Sequence, residues 1–460
     1  MAVVVKSPTV AEQLACFCTG LQLERLPADV VERTKDLLLD YLGVCYQGAQ
    51  VESSAASLAA TQVLAGGSGP ATVVGQHAGM QAAWAALVNG VAAHAIEMDD
   101  VTSKSSLHPA VAVFPATLAV AEELDASAAA TLEAAIAGYE VTMRLGNALN
   151  PASAYKRGFH PTGVAGAFGA AAAASSLLRL ETAKFTNALG IAGTMAAGSL
   201  EYLSGGAWTK RLNAGWAAHC GVVAARLAEQ GFTGPATVVE GPLGLLHGYT
   251  DEPYPAETTE GLGSVYQVMK VSIKPYGCCR YNHGLIDCML DIKQRHKFAV
   301  DDIEEIRLGV LSGGYLLVAD PIEQKQQPHN VVDAQFSAPY AAAVALVAGS
   351  AKQADYNQAN IDDPRVRGLM SKSVCYRDAE LDSVYPDHWP AAASIRLRDG
   401  RVLETKQPYP LGEPENPVSA SALAGKFREL VDRPFAGEII ERVRVLPAGS
   451  IRDLMTGLRR

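Results

Sequence analysis

The stretch Gly158-Phe159-His160-Pro161-Thr162-Gly163, with the run Val164 to Leu178 after it, decides the fold of this chain. The hexapeptide is a polar turn containing a His-Pro pair, and the run is alanine-rich and apolar on all sides. Such a helix is buried on every face, as in the centre of a large bundle. Burying polar groups at the start of such a helix costs free energy unless they are solvated, hydrogen-bonded or part of a functional site, so we expect a functional site where the helix begins.

The stretch from Glu97 to Pro109 has the same design, and a third polar turn lies between Lys274 and His283. Helical spacing of apolar residues continues over most of residues 10–262. The predicted helices there include Gln81 to Ile96, Pro109 to Leu124, Thr131 to Leu145, Val164 to Leu178, Ala183 to Ala197 and Ala214 to Gln230.

The pattern changes near residue 263. Val268 to Lys274 and Ile303 to Leu311 alternate as strands do, and Cys279 to Lys297 is a predicted helix. Asp399-Gly400 between two alternating runs predicts a hairpin, because this pair suits a type I′ turn. We therefore predict a mainly α fold. A large all-helical domain, residues 1–262 and 411–460, is interrupted by a smaller α+β domain, residues 263–410.

Composition narrows the class of protein. The 460 residues carry a net charge of −10, which argues against nucleic acid as a partner, because phosphate contacts need a basic face. The apolar runs are interrupted by polar residues, so none predicts a membrane span. Eight scattered cysteines are not a disulfide framework. Met1 to Lys6 lacks the pattern of a signal peptide, so we expect a cytoplasmic protein.

Two histidines are candidate acid/base groups. His108 follows the acidic pair Asp99-Asp100, and His160 precedes the buried helix; carboxylates or a helix end tune an imidazole near neutral pH. Thr162 or the N–H groups of the following helix are candidate ligands for a carboxylate. The alternative for each turn, favoured when it is taken alone, is that the polar residues only cap helices.

Two further segments carry reactive side chains. Lys210, after Gly205-Gly206, is a candidate carboxylate ligand or proton donor; the alternative is an ordinary surface loop. If the next helix starts near Cys279, then Cys279, His283 and Asp287 share one face, and the thiol–imidazole pair can transfer protons. The alternative is a buried cysteine beside a helix-terminal histidine. Neither zinc-ligand spacing nor a dinucleotide- or nucleotide-binding loop occurs.

Taken in order, these motifs resemble the MmgE/PrpD family, which includes 2-methylcitrate dehydratase, cis-aconitate decarboxylase and iminodisuccinate epimerase. The resemblance covers nearly the whole chain. It rests on five collinear segments: His94 to Asp100 with His108-Pro109, Gly158 to Gly163, Thr209-Lys210, Gly231 to Pro235, and Lys274 to His283.

The resemblance implies a helical domain with an α+β lid domain, a homodimer, small di- or tricarboxylate substrates, and no metal or organic cofactor. It implies catalytic roles for His108, His160, Lys210 and Cys279. It further implies substrate binding by a second set, in which Tyr340 is an aromatic residue facing a cleft: Glu97, Asp100, Thr102, Lys274, His283 and Tyr340.

Some positions depart from the family pattern. Glu97 stands where many members have Asp, and Val101 where Thr or Ser is usual, although Thr102 can substitute. Asn213 lies in a segment where Pro-Leu-His is common. Cys279 stands where the decarboxylases have a histidine, which weakens the decarboxylase interpretation and suits a two-base epimerase.

Three functions follow as hypotheses. The first is a cofactor-independent lyase on a citrate- or aconitate-like acid, acting by proton transfer beside a carboxylate, with dehydration favoured over decarboxylation. The second is an epimerase of a substituted succinate such as iminodisuccinate. The third is a non-catalytic carboxylate-binding paralogue, against which the retained His108, His160 and Lys210 argue.

Overall fold

The computed structural model describes residues 7–66 and 68–459. Met1 to Lys6, on which the expectation of no signal peptide rests, lie outside the described residues. In chain order the α-helices are α1 Val10–Thr19, α2 Ala28–Gly48, α3 Glu52–Ala65, α4 Ala82–Ala93, α5 Ala110–Leu124, α6 Ala128–Ala148, α7 Pro151–Lys156, α8 Pro161–Leu177, α9 Thr182–Met195, α10 Thr209–Glu229, α11 Leu245–Gly248, α12 His283–Arg295, α13 Ser312–Val318, α14 Ile322–Lys325, α15 Val331–Gln335, α16 Ala338–Ala348, α17 Gln358–Asp362, α18 Pro364–Met370, α19 Ala379–Asp382, α20 Ala420–Val431, α21 Ala436–Arg444 and α22 Ile451–Thr456. The strands are β1 Val101–Thr102, β2 Val271–Ser272, β3 Ile303–Val310, β4 Ser373–Arg377, β5 Ala391–Leu397 and β6 Val402–Gln407.

The chain divides into two compact units. The helical unit comprises the described residues up to Ala95, Ser105–Val271 and those from Ala420 onward. The second unit comprises Ile96–Lys104 and Ser272–Ser419. The predicted fold class, mainly α with a smaller α+β part, is confirmed.

Helix α8 is the buried centre of the helical unit. It packs against α5, α6 and α10, and all but one of its residues are buried. Small residues allow this close approach, because a Cβ atom at Gly169 would lie 2.6 Å from the main-chain oxygen of Gly138 in α6. Alanine and glycine therefore set the helix spacing here, and large side chains would force the bundle apart.

The second unit is built around a four-stranded sheet of order β4-β3-β5-β6, in which β3 and β4 are parallel and the other pairs antiparallel. Helix α12 packs on β5 and β6, and α16 packs against α12. The predicted hairpin is present as β5 and β6, which pair across Asp399-Gly400 with Gly400 at φ 87°. The glycine is required there because other residues are strained at positive φ.

Two secondary-structure predictions were wrong. The segment predicted as a strand over 268–274 is a 3-10 turn, Gln267–Lys270, followed by only two strand residues. The helix predicted to start at Cys279 starts at His283, after a 3-10 turn at Arg280–Asn282. No helix among the described residues is long and apolar enough to cross a bilayer. All eight cysteines are described, and no disulfide joins them.

Candidate functional site

Three buried imidazoles meet in the helical unit, and we call His94, His108 and His160 the histidine cluster. Each stands at a helix end: His94 caps the C-terminus of α4, His160 is the N-cap of α8, and His108 precedes Pro109, the N-cap of α5. The ring centroids of His94 and His108 are 5.0 Å apart, and those of His94 and His160 are 5.7 Å apart. The His94 and His160 rings are stacked, with 14° between their planes.

The His160 ring is held in one orientation. Its main-chain N–H donates to Gly198 O at 2.9 Å, and Asn213 Nδ2 lies 3.3 Å from its Nδ1. The Asn213 amide also donates to Ser199 O at 3.1 Å. Because an amide nitrogen only donates, Nδ1 of His160 is the acceptor and the proton of the neutral ring is on Nε2. Asn213, a departure from the family pattern, thus assigns the tautomer.

His108 is tied to the start of α8 by its main chain. Its N–H donates to Thr162 Oγ1 at 3.1 Å, and Thr162 is fully buried in the first turn of that helix. The sequence suggested Thr162 as a carboxylate ligand; in the structure its hydroxyl accepts this main-chain bond. The contact joins the two His-Pro turns of the helical unit.

Lys210 lies in the first turn of α10 and is half-buried. Asn213, the partner of His160, is in the same turn of the same helix. The preceding loop contains Gly206 at φ 64°, a left-handed conformation suited to glycine. Lys210 is therefore placed by a helix that also positions the histidine cluster.

The second unit contains a buried lysine among carboxylates, and we call Lys274, Glu97 and Asp99 the lysine cluster. Lys274 Nζ donates to Glu97 O at 3.3 Å and lies 3.6 Å from Glu97 Oε2. Burial lowers the pKa of Lys274, but Asp99, Glu97, Cys279 and Cys278 together raise it more, so the net pKa lies above the ordinary lysine value. The ammonium group is therefore charged although its side chain is only 1% exposed.

Glu97, Asp99, Asp100 and Thr102 are all buried in the short segment Ile96–Lys104. Glu97 has φ 57°, a left-handed conformation that is uncommon for a residue with a side chain. Such strain persists only where surrounding contacts hold it, and it is frequent at functional sites.

A buried ion pair anchors the end of that segment. Glu413 accepts from Ser103 Oγ at 3.1 Å and Ser272 Oγ at 2.6 Å, and it pairs with Arg280 Nη2. Burial raises the pKa of Glu413, but Arg280 and the two serine hydroxyls lower it more, so the net pKa lies below the ordinary glutamate value. Glu413 is therefore ionised inside the second unit.

Cys279 does not share a helix face with His283 and Asp287, because α12 begins only at His283. Cys279 is buried, and its N–H donates to Gln335 O at 2.9 Å. Its thiol interacts electrostatically with both Lys274 and Lys325. Cys279 therefore lies within electrostatic range of two lysines, although it also belongs to the buried apolar cluster of the second unit.

Two predicted ligands lie in the core of the second unit. Tyr340 is fully buried in α16 and donates its hydroxyl to Asp355 O at 2.8 Å, and its place beside a cleft stays a prediction. His283 is fully buried, with Nε2 3.3 Å from Cys278 O and its ring edge-on to Tyr276. The His283 side chain therefore supports the turn that carries Cys279, whereas Tyr340 supports the main chain at Asp355.

Sequence reasoning missed one residue of the histidine cluster and three residues that interact with the turns of the second unit. His94 stood inside a quoted motif without a role, and its place at the end of a predicted apolar helix was the available signal. Lys325, Gln335 and Glu413 carried no signal, because their partners are distant in sequence.

Comparison with known proteins covers almost the entire chain. The MmgE/PrpD N-terminal domain matches residues 12–257 and the MmgE/PrpD C-terminal domain matches residues 276–446. The chain is 29% identical over 452 residues to cis-aconitate decarboxylase-like protein oryM of Aspergillus oryzae, covering 94% of this chain and 93% of that protein. It is 28% identical over 475 residues to cis-aconitate decarboxylase of Aspergillus terreus, covering 98% and 93%.

A shorter similarity extends to another protein of Aspergillus oryzae, 2-methylcitrate dehydratase-like protein oryR. It is 28% identical over 174 residues, which cover 35% of this chain and 34% of that protein. Both domain matches follow the order of the motifs found in the sequence. The chain belongs to the MmgE/PrpD family.

Proposed function

We propose that this protein decarboxylates a small tricarboxylate of the cis-aconitate type, without an organic cofactor. The protein is an MmgE/PrpD-type lyase, and similarity over nearly the full length to decarboxylases supports decarboxylation ahead of the dehydration favoured by the sequence alone. The structural observation that carries the proposal is the histidine cluster, in which three buried imidazoles lie at helix ends.

The chemistry requires a proton and cations. When CO2 leaves an unsaturated acid of this type, the electron pair of the broken C–C bond shifts the double bond, and a proton must then be added beside another carboxylate. His160, oriented by Asn213, is the proposed proton donor, with His108 as a second acid/base group. Both side chains are buried, and a positioned imidazole shielded from solvent is more effective than one in water.

The substrate carboxylates require positive charge. Lys274 is the proposed ligand in the second unit, because it is charged and buried. Lys210 is the proposed ligand or proton donor in the helical unit, and Glu97, Asp100 and Thr102 are proposed to contact substrate hydroxyl or carboxyl groups. Fixed charges at such positions stabilise the charge that develops during reaction.

Epimerisation of a substituted succinate is the second candidate function. The observation that favours it is Cys279, whose thiol interacts with Lys274 and Lys325. A thiolate can remove the α-proton from one face while a protonated second group donates a different proton to the opposite face. This reaction loses no group and forms no alkene.

Proton NMR in deuterium oxide separates these functions. The purified protein is incubated with citrate, 2-methylcitrate, cis-aconitate, malate and iminodisuccinate in parallel. We expect cis-aconitate to be consumed with new vinyl signals and released CO2. The His160→Asn variant, purified identically, is the control for contaminating host enzymes.

The other outcomes are decisive as well. Vinyl signals from citrate or 2-methylcitrate would show that the protein is a dehydratase and would contradict the proposed decarboxylation. Loss of an α-proton signal without a new product would establish the epimerase. No reaction in any tube would contradict the proposed substrate class and favour a binding paralogue.

A further inference from the structure

We infer that Gln335 is a positioning residue that fastens the turn carrying Glu97 to the turn carrying Cys279. The inference deepens the proposed function and rests on it, because these turns carry proposed ligands and acid/base groups. Gln335 ends α15, is only 4% exposed, and touches no substrate in this proposal.

The side-chain amide joins two turns of the second unit. Gln335 Nε2 donates to Gly277 O at 2.9 Å and to Ile96 O at 3.2 Å. A primary amide nitrogen has two N–H groups, so these two bonds use both of them. No other side chain of this length offers two donors on one neutral nitrogen.

The main-chain carbonyl of Gln335 holds the same region from the other side. It accepts from Cys279 N at 2.9 Å and from Asn282 Nδ2 at 3.2 Å. One residue therefore makes four hydrogen bonds to three segments: the turn at Ile96, the turn at Gly277 to Cys279, and the 3-10 turn before α12.

These turns need such support because neither belongs to a helix or a strand. Ile96 directly precedes Glu97, whose φ of 57° is strained. Cys279 directly precedes the 3-10 turn and is extended, with φ −55° and ψ 136°. Since no ladder of main-chain bonds fixes either residue, the Gln335 side chain sets the distance between their turns.

The experiment compares Gln335→Met with Gln326→Met. Gln326 is a matched control, because it is half-buried in the same unit and its Nε2 also donates to a main-chain oxygen, that of Ser373, at 3.0 Å. Gln335→Glu is a second variant of nearly equal shape that lacks the donors. Readouts are amide hydrogen exchange, alkylation of Cys279 by iodoacetamide followed by mass spectrometry, and kcat and KM.

We expect Gln335→Met and Gln335→Glu to speed exchange at least tenfold in both Ile96–Lys104 and residues 276–282, and alkylation of Cys279 at least fivefold. With the best substrate, kcat falls at least tenfold and KM changes less. In Gln326→Met, faster exchange is confined to β4, and kcat stays within twofold of the parent protein.

Unchanged exchange in either turn of the Gln335 variants, with both variants folded by circular dichroism, would overturn the inference. So would a loss of kcat that Gln326→Met shares. Exchange and alkylation need no substrate, so they test the role of Gln335 even if the parent protein turns over no tricarboxylate. Absence of turnover in the parent protein would contradict the proposed function but not the role of Gln335.

Discussion

The histidine cluster and the lysine cluster bury polar groups by different means. The helical unit places His94, His108 and His160 at the ends of three long helices, whose own hydrogen bonds fix the main chain. The second unit places Glu97 and Lys274 outside helices and strands, where bonds from distant residues fix them. Helix ends make a site rigid at small cost, whereas loops need dedicated supporting side chains.

The same contrast holds for two buried glutamate–arginine pairs. In the helical unit, burial raises the pKa of Glu140 to about 7, although Arg144 and the Gln267 N–H lower it. In the second unit, burial raises the pKa of Glu413, but Arg280 and two serine hydroxyls reverse the effect. Each carboxylate faces an arginine and two further donors, which for Glu140 are the N–H groups of Gln267 and Val268, so the deeper burial of Glu140, 0% exposed against 4%, separates the two pKa values.

The largest expected effect comes from breaking the lysine cluster. Lys274→Met should lower kcat/KM by roughly 100- to 1,000-fold, because a fixed charge that stabilises the reacting carboxylates is lost. Lys426→Met is the matched control, since the Lys426 side chain is only 9% exposed and pairs with Asp40 Oδ1 at 2.5 Å in the helical unit. Activity is measured per folded protein, with folding checked by circular dichroism. A loss below fivefold, or an equal loss in the control, would remove Lys274 from the proposed site.

Breaking the histidine cluster should have the next largest effect. His160→Asn and Lys210→Ala should each lower kcat by at least roughly 100-fold, the usual scale for an acid/base or electrostatic group. His219→Asn is the control, because His219 is half-buried in the same unit and stacks on Trp216 at 5.3 Å, outside the cluster. The kcat of each variant and of the parent protein is measured by steady-state kinetics with the best substrate. Near-normal kcat in either variant would take that residue out of the mechanism.

This contrast also explains what could be predicted from the sequence. Helix α8 was predicted within three residues of its observed start, because its apolar run and the Pro161 at its first position are local signals. His108 and His160 could be found for the same reason, since both are adjacent to such helices. Local patterns therefore located the histidine cluster, apart from His94.

The second unit was predicted less well, because its turns depend on distant partners. The strand predicted over 268–274 breaks off after Ser272, where Ile273 N donates to Gly412 O and Ser272 donates to Glu413. Gln335 and its partner Ile96 are 239 residues apart in the chain. No local periodicity records such a contact, so neither the start of α12 nor the role of Gln335 could be predicted.

The smallest expected effects concern stability, and they sharpen the comparison of Glu140 with Glu413. The folded pKa of Glu413 lies below its ordinary value of 4.5, so its stabilisation is present above pH 4.5 and is lost as the pH falls through the folded pKa. The folded pKa of Glu140 is raised from 4.5 to about 7, so its contribution is present below pH 4.5 and is lost as the pH rises to about 7. The two carboxylates therefore give stability opposite slopes with pH.

Glu413→Gln at pH 8 should lower the free energy of unfolding by about 3 kcal/mol, because breaking a buried ion pair leaves Arg280 uncompensated. Glu140→Gln also removes the charge that faces Arg144, but it should cost less at pH 8, because the amide avoids the burial of a carboxylate that the parent protein must bear there. It should also abolish the fall in thermal midpoint that we expect between pH 5 and 7. Thermal unfolding followed by circular dichroism from pH 4 to 8 tests both. An unchanged slope in Glu140→Gln, or equal losses in the two variants, would contradict the view that the depth of burial separates the two pairs.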